Sequence, residues 1–94
     1  MPLKESIIQT KVRKHFERQG WLVVKIIQST LNGWPDLQCH KGGKTIFIET
    51  KSEGKPISPL QFYRHTQLIE QGFEVYVIDS IETIKQFNYV QKGC

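Results

Sequence analysis

The chain reads as an α/β domain, a mixed β-sheet flanked by helices, on three features of its sequence. An apolar stripe at helical spacing (Ile8, Val12, Phe16) opens it, and β-rich runs follow, two of them joined through Gly42-Gly43. A helix with a strong start signal at Ser58-Pro59-Leu60-Gln61 then separates the third run from a fourth. A helix in that place turns an antiparallel hairpin into a mixed sheet, with the order α-β-β-β-α-β-α. The 94 residues make a single domain, 1–94, with one modest core.

Each element has its own signals. The first helix runs from Lys4 to Gln19 and ends at Gly20. Lys4, Lys11, Lys14 and Arg18 lie on or towards its polar side, while Glu5 falls in the middle of the apolar stripe, an odd place for a carboxylate. Trp21–Gln28 is almost continuously apolar and predicts a strand covered on both faces. Ser29–Trp34 is a loop, marked by Asn32-Gly33 and by Pro35, which disfavours helix at Trp34. Asp36–His40 and Thr45–Lys51 are strands joined by Lys41-Gly42-Gly43-Lys44. On the second of them Ile46 and Ile48 face one way, and Phe47, Glu49 and Lys51 the other. After the loop Glu53–Ile57, Ser58 is the N-cap, Pro59 the first helical residue and Gln61 the partner in a capping box. That helix runs to about Gln71 and stops at Gly72. Phe73–Ile78 is an alternating strand, Asp79 or Ser80 caps a last helix through Phe87, and residues 88–94 are expected to be a flexible tail.

Composition narrows the function. Thirteen Lys and Arg against nine Asp and Glu give a formal charge of +4, which excludes an acidic calcium buffer and is compatible with a polyanionic partner. No apolar run approaches a bilayer span, and Met1–Lys4 leads into a polar stretch, so no membrane association is expected. Cys39 and Cys94 form no CxxC, which excludes a zinc finger or disulfide scaffold and fits a reducing, cytoplasmic setting. His15, His40 and His65 have no ligand spacing, which argues against histidine-bound zinc.

The chemistry concentrates in Gly33-Trp34-Pro35-Asp36 and Ile48-Glu49-Thr50-Lys51. Asp36 opens one strand of the hairpin and Glu49 lies near the end of the next, so an antiparallel pair brings the two carboxylates together. Two carboxylates with a carbonyl and waters suit a hard divalent cation such as Mg²⁺. Lys51, two residues beyond Glu49 on the same face, can orient a water and offset charge on a phosphate. Glu5 is a candidate third carboxylate if the first helix packs over the hairpin.

These residues resemble the PD-(D/E)xK nuclease superfamily. Glu5 and Gln9, Gly20-Trp21, Gly33-x-Pro35-Asp36, Ile48-Glu49-x-Lys51 and Ser58-Pro59-Leu60-Gln61 together resemble the virus-type replication-repair nuclease (VRR-NUC) family over nearly the whole chain. The resemblance implies a restriction-endonuclease-like fold and a DNA endonuclease dependent on Mg²⁺ or Mn²⁺. It also implies branched DNA as substrate, since compact standalone members are similar in layout to homodimeric Holliday-junction resolvases. On this reading Asp36 and Glu49 are the main metal ligands, the Thr50 carbonyl adds another, and Glu5 acts directly or through water. Lys51 positions the attacking water.

For Gln61 the capping box is a complete structural explanation, and a role at the edge of the catalytic site is compatible with it. Lys11, Lys14 and Arg18 form a solvated basic face with DNA-backbone contact as the functional alternative, and Trp34 is either locally packed or stacked on a base. Phe62, Tyr63, Tyr76 and Phe87 are candidates for a dimer interface. The rival readings are a related nuclease acting on flaps or linear duplex, a DNA-binding module that has lost catalysis, and a small interaction domain in which the motif is coincidental.

Overall fold

The structure, a computed structural model, describes residues 3–84. Its elements are α1 (Glu5–Arg18), β1 (Leu22–Lys25), β2 (Leu37–Lys41), β3 (Lys44–Thr50), α2 (Pro59–Glu70) and β4 (Glu74–Ile78). They form the expected mixed sheet, four strands in the order β1-β2-β3-β4, antiparallel except for the parallel pair β3–β4. Residues 81–84 are helical, and Ser80 caps them, its Oγ accepting from the Thr83 N–H at 3.2 Å. The rest of the expected last helix, with Phe87, the tail 88–94 and Cys94, lies outside the described residues.

Strand alternation divides the side chains of β3 between two layers. Ile46 and Ile48 meet Ile8, Val12 and Phe16 of α1 in the main core, with Trp21, Leu37, Cys39, Ile78 and Ile84. Phe16 and Trp21 pack edge to face at 5.8 Å. Phe47 points to the opposite face, where it meets Trp34 and Phe73 edge-on at 5.7 and 5.4 Å. Cys39 is buried as expected of a core strand residue, and burial pushes its thiol up to about 12. No helix among the described residues is long and apolar enough to cross a membrane.

Local chemistry holds the ends of the elements. Lys41 Nζ donates to the Gln19 carbonyl at 2.7 Å, satisfying one of the orphan acceptors at the C-terminus of α1. The β2–β3 hairpin turns through Gly42 and Gly43, both at positive φ (56° and 80°), as a two-residue loop matched to strand twist requires. The capping box of α2 is present: Ser58 Oγ accepts from the Gln61 N–H at 3.1 Å, and Gln61 Oε1 accepts from the Ser58 N–H at 2.8 Å.

The first strand departs from expectation. It is four residues long rather than eight, and Leu22 and Val24 are exposed, at 66% and 39%. As the sheet edge away from β4, β1 is covered by α1 alone, because α2 packs against β4. Its apolar run therefore buries one face and leaves the other open. Beyond Lys25 the chain stays in register only through the Ile26 N–H, which donates to the Asp36 carbonyl at 2.7 Å, and then departs as a loop.

That loop returns onto α2 through Gly33, whose φ is +85°. A Cβ at this position would sit 2.9 Å from the Leu60 carbonyl oxygen, so both the backbone angle and the close approach require glycine. Replacing Gly33 by Ala should lower stability by about 1–3 kcal/mol. Urea unfolding measures this, and an unchanged midpoint would show that the loop does not depend on the contact.

Candidate active site

Asp36 precedes β2 and Glu49 lies near the end of β3, next to Thr50, so the hairpin brings the two expected carboxyl groups to one end of the sheet. Asp36 Oδ2 accepts two hydrogen bonds from Thr50, from its N–H and its hydroxyl, both at 2.9 Å. Gln9 of α1 donates to the same hydroxyl oxygen at 3.1 Å, so a three-residue relay fixes the aspartate. In an extended strand the N–H and C=O of one residue share an edge, so the Thr50 carbonyl opens on the same side as Asp36.

Glu49 is 2% exposed. Its Oε2 accepts from Gln61 Nε2 at 3.3 Å, and its Oε1 lies 3.3 Å from Nε2 of His65. Gln61 therefore serves two partners: its amide oxygen closes the capping box while its amide nitrogen donates to Glu49. Burial pushes the Glu49 carboxyl up to about 9, helped by its hydrogen bond to the Asp36 carboxyl and the Asp36 charge. Lys51 pulls it down and Glu5 adds a further upward push. Burial lowers the His65 imidazole, with Asp36 opposing and Lys51 assisting. Both shifts favour neutral forms, so the Glu49–His65 contact is a hydrogen bond between a carboxylic acid and an imidazole at neutral pH rather than an ion pair.

Lys51 is half-buried, and its N–H donates to the Ile78 carbonyl at 3.0 Å, carrying the strand geometry one residue past β3. Alternation then gives Lys51 the face of Glu49. Glu5 is exposed, contrary to its place in the apolar stripe. The stripe is buried only from Ile8 onward, and Glu5 occupies the first turn, where the α1 dipole favours a carboxylate. The Glu53 N–H donates to the Leu3 carbonyl at 3.1 Å and ties this turn to the loop after β3, so Glu5 is close enough for Glu49 to feel its charge.

The remaining expected residues sit farther out. Lys11, Lys14 and Arg18 are exposed and, with Ser6, Ile7 and Thr10, line a groove on the outer side of α1. Trp34 is half-buried against Phe47, so local packing accounts for most of its ring. Tyr76 packs against the main core and bonds Glu74 through its hydroxyl, which removes it from the exposed apolar residues. His65 is a site residue that ligand spacing in the sequence does not single out. Its signal was local: it follows Gln61 by one helical turn and precedes Leu68 by three residues, which puts all three on the inward face of α2.

The donor set fits a hard cation. Two carboxyl groups meet where burial disfavours the charge of Glu49, and the adjoining donors on β3 are oxygens. Among the described residues no group of three or more His, Cys, Asp or Glu side chains forms a cage for a metal ion. A pair of carboxylates, with waters completing the shell, is how Mg²⁺ is held, whereas structural zinc needs four protein ligands.

No family model matches the chain. It is 30% identical over 79 residues to "Putative nuclease p44" of Acyrthosiphon pisum secondary endosymbiont phage 1, covering 83% of this chain and 85% of that protein. A solved VRR_NUC domain is similar at a TM-score of 0.83 with 28% identity, covering 93% of this chain and 96% of its own.

The displaced Glu49 carboxyl predicts the pH dependence of the cation-free protein. The folded state keeps this proton up to about 9 while an unfolded glutamate releases it near 4.5, so stability falls as pH rises between those values. His65 acts in the opposite direction, but only below its unperturbed 6.5, which leaves the interval from about 7 to about 9 to Glu49. Thermal unfolding in EDTA should show a declining midpoint across that interval, and Glu49→Gln should flatten it without destabilising the protein. An identical slope in both proteins would contradict the assignment.

Proposed function

The chain belongs to the VRR-NUC family of nucleases, and we propose that it is a Mg²⁺- or Mn²⁺-dependent endonuclease that cuts branched DNA, a Holliday junction foremost, as a homodimer. The observation that carries this reading is the convergence of Asp36 and Glu49 at the end of β3 with Lys51 on the same face. Asp36, Glu49 and the Thr50 carbonyl would hold the ion, with Glu5 reaching it directly or through water. When bound, the ion polarises the scissile phosphate and makes a coordinated water more acidic.

The protein's own groups do the rest. The Thr50 hydroxyl and N–H keep Asp36 in one orientation, and Gln9 keeps the hydroxyl in place. Gln61 and His65 hold the two oxygens of Glu49, so that no rotamer search precedes catalysis. Lys51 donates to the attacking water and offsets the negative charge that grows on the phosphate oxygens. Lys11, Lys14 and Arg18 receive backbone phosphates along the outer side of α1, and Trp34 contributes whatever part of its indole Phe47 leaves open.

Dimerisation fits the exposed apolar surface. Phe62 and Tyr63 on α2 are 64% and 55% exposed, and Leu22 and Val24 extend apolar character along the open face of β1. A two-fold dimer needs only one self-complementary patch and sets two sites in symmetry, as the two equivalent strands of a junction require.

The test is cleavage of four-way junction, flap and linear duplex DNA, with and without Mg²⁺ or Mn²⁺, alongside sedimentation at the assay concentration. A dimer should cut the junction fastest, in symmetric pairs, and only with the cation. Asp36→Ala and Glu49→Ala should abolish cleavage in folded protein. Lys51→Ala should lower the rate about a hundredfold or more while DNA affinity changes little, since one ammonium among many adds little to phosphate binding. Cleavage by both carboxylate variants, in protein free of host nucleases, would remove the proposed site; equal cutting of linear duplex would remove the junction preference.

A further inference from the structure

Both carboxyl groups of the proposed cation site are tied to α2, but by different routes. Glu49 takes its two partners, Gln61 and His65, directly from the inward side of that helix. Asp36 ends the loop between β1 and β2, and this loop reaches α2 at two places. Gly33 comes close to the Leu60 backbone, and Arg64 Nε donates to the Asn32 carbonyl at 2.8 Å. Arg64 has no part in the proposed mechanism, yet three contacts fix its guanidinium. Besides the bond to Asn32, its Nη1 donates to Gln67 Oε1 at 2.9 Å, and the group stands 5.3 Å from the centre of the Tyr63 ring.

The Asn32 carbonyl is part of the peptide unit that leads into Gly33, whose φ of +85° turns the chain towards Asp36. From that turn to the aspartate the chain has little freedom. Trp34 packs edge-on against Phe47 at 5.7 Å, Pro35 is buried with its φ locked by the ring, and Asp36 is bonded to Thr50. A segment this short and this constrained passes a shift at one end to the other. The planar guanidinium, aligned by Gln67 and Tyr63, therefore holds the Asp36 loop against the same helix that orients Glu49.

We propose that Arg64 is a positioning residue for the cation site: by tying the Asn32 peptide to α2, it sets the spacing between Asp36 and Glu49. The proposal rests on the cation-site reading under Proposed function. Charge and geometry predict opposite signs, which makes the role testable. A guanidinium repels a cation, so on charge alone its removal strengthens cation binding. Loss of the fixed spacing weakens binding instead, as removal of groups that orient metal ligands does.

The test is isothermal titration of Mn²⁺ into the wild type, Arg64→Ala and Arg64→Lys, with cleavage of the DNA that the wild type cuts fastest measured over the same Mn²⁺ range. Arg64→Lys keeps the charge and loses the planar fork. Both variants should bind Mn²⁺ about tenfold more weakly than the wild type. Both should regain close to the wild-type rate once Mn²⁺ saturates, because a residue that acts only through spacing is bypassed when the ion is in place. Thermal unfolding in EDTA checks that each variant is folded at the titration temperature. Mn²⁺ binding as tight as the wild type's, or tighter, in the folded variants would overturn the proposal and leave the cation site standing. A rate that stays low at saturating Mn²⁺ would overturn it too, by giving Arg64 a direct part in the reaction. A wild type that binds no Mn²⁺ would overturn both the proposal and the cation site.

Discussion

A carboxyl group buried at the end of the central strand needs partners, and the arrangement around Glu49 supplies them from three parts of the chain. Gln61 and His65 come from α2, Asp36 from the loop before β2, and Lys51 from the strand itself. An uncompensated charge in such a place would cost several kcal/mol, so the cation-free protein keeps Glu49 protonated instead. Each element end near the site then has a second purpose. The capping box that starts α2 also aims an amide at Glu49, and the hairpin register that pairs Leu37 with Ile48 sets Asp36 beside Thr50. A site assembled from element ends is rigid without needing a large domain around it.

Much of this was legible in the sequence, where local signals and their structural consequences coincide. Gly42-Gly43 dictated a tight hairpin, the hairpin dictated that Asp36 and Glu49 meet, and Ser58 to Gln61 spelled out a capping box. Less legible were features that depend on what covers a surface. The run from Trp21 to Gln28 is apolar enough for a doubly covered strand, but its position at the sheet edge leaves Leu22 and Val24 open. Glu5 shares the phase of Ile8 and Val12, yet periodicity does not reveal that the stripe is buried only from Ile8 onward. His65 has no metal-ligand spacing to mark it, and its partner is a carboxyl group sixteen residues away in sequence.

Small size also shapes how the molecule meets DNA. In a domain of this size, much of the surface lies close to the acidic site at the end of β3. The basic groove on α1 and the exposed apolar residues of β1 and α2 offer two different chemistries: attraction of phosphate and self-association. Their separation on distinct elements means that each can be altered without rebuilding the other.

The central claim is that the buried acidic pair at the end of β3 is a cation site whose ligand Glu49 is protonated until the ion arrives. Isothermal titration calorimetry of Mn²⁺ at pH ~7.5, repeated in buffers of different ionisation enthalpy, tests it by counting the protons that leave as the ion binds. The account predicts saturable binding with close to one proton released per ion, and loss of that release in Glu49→Gln. Saturable binding with no proton release, or with the same release in the Gln variant, would contradict it.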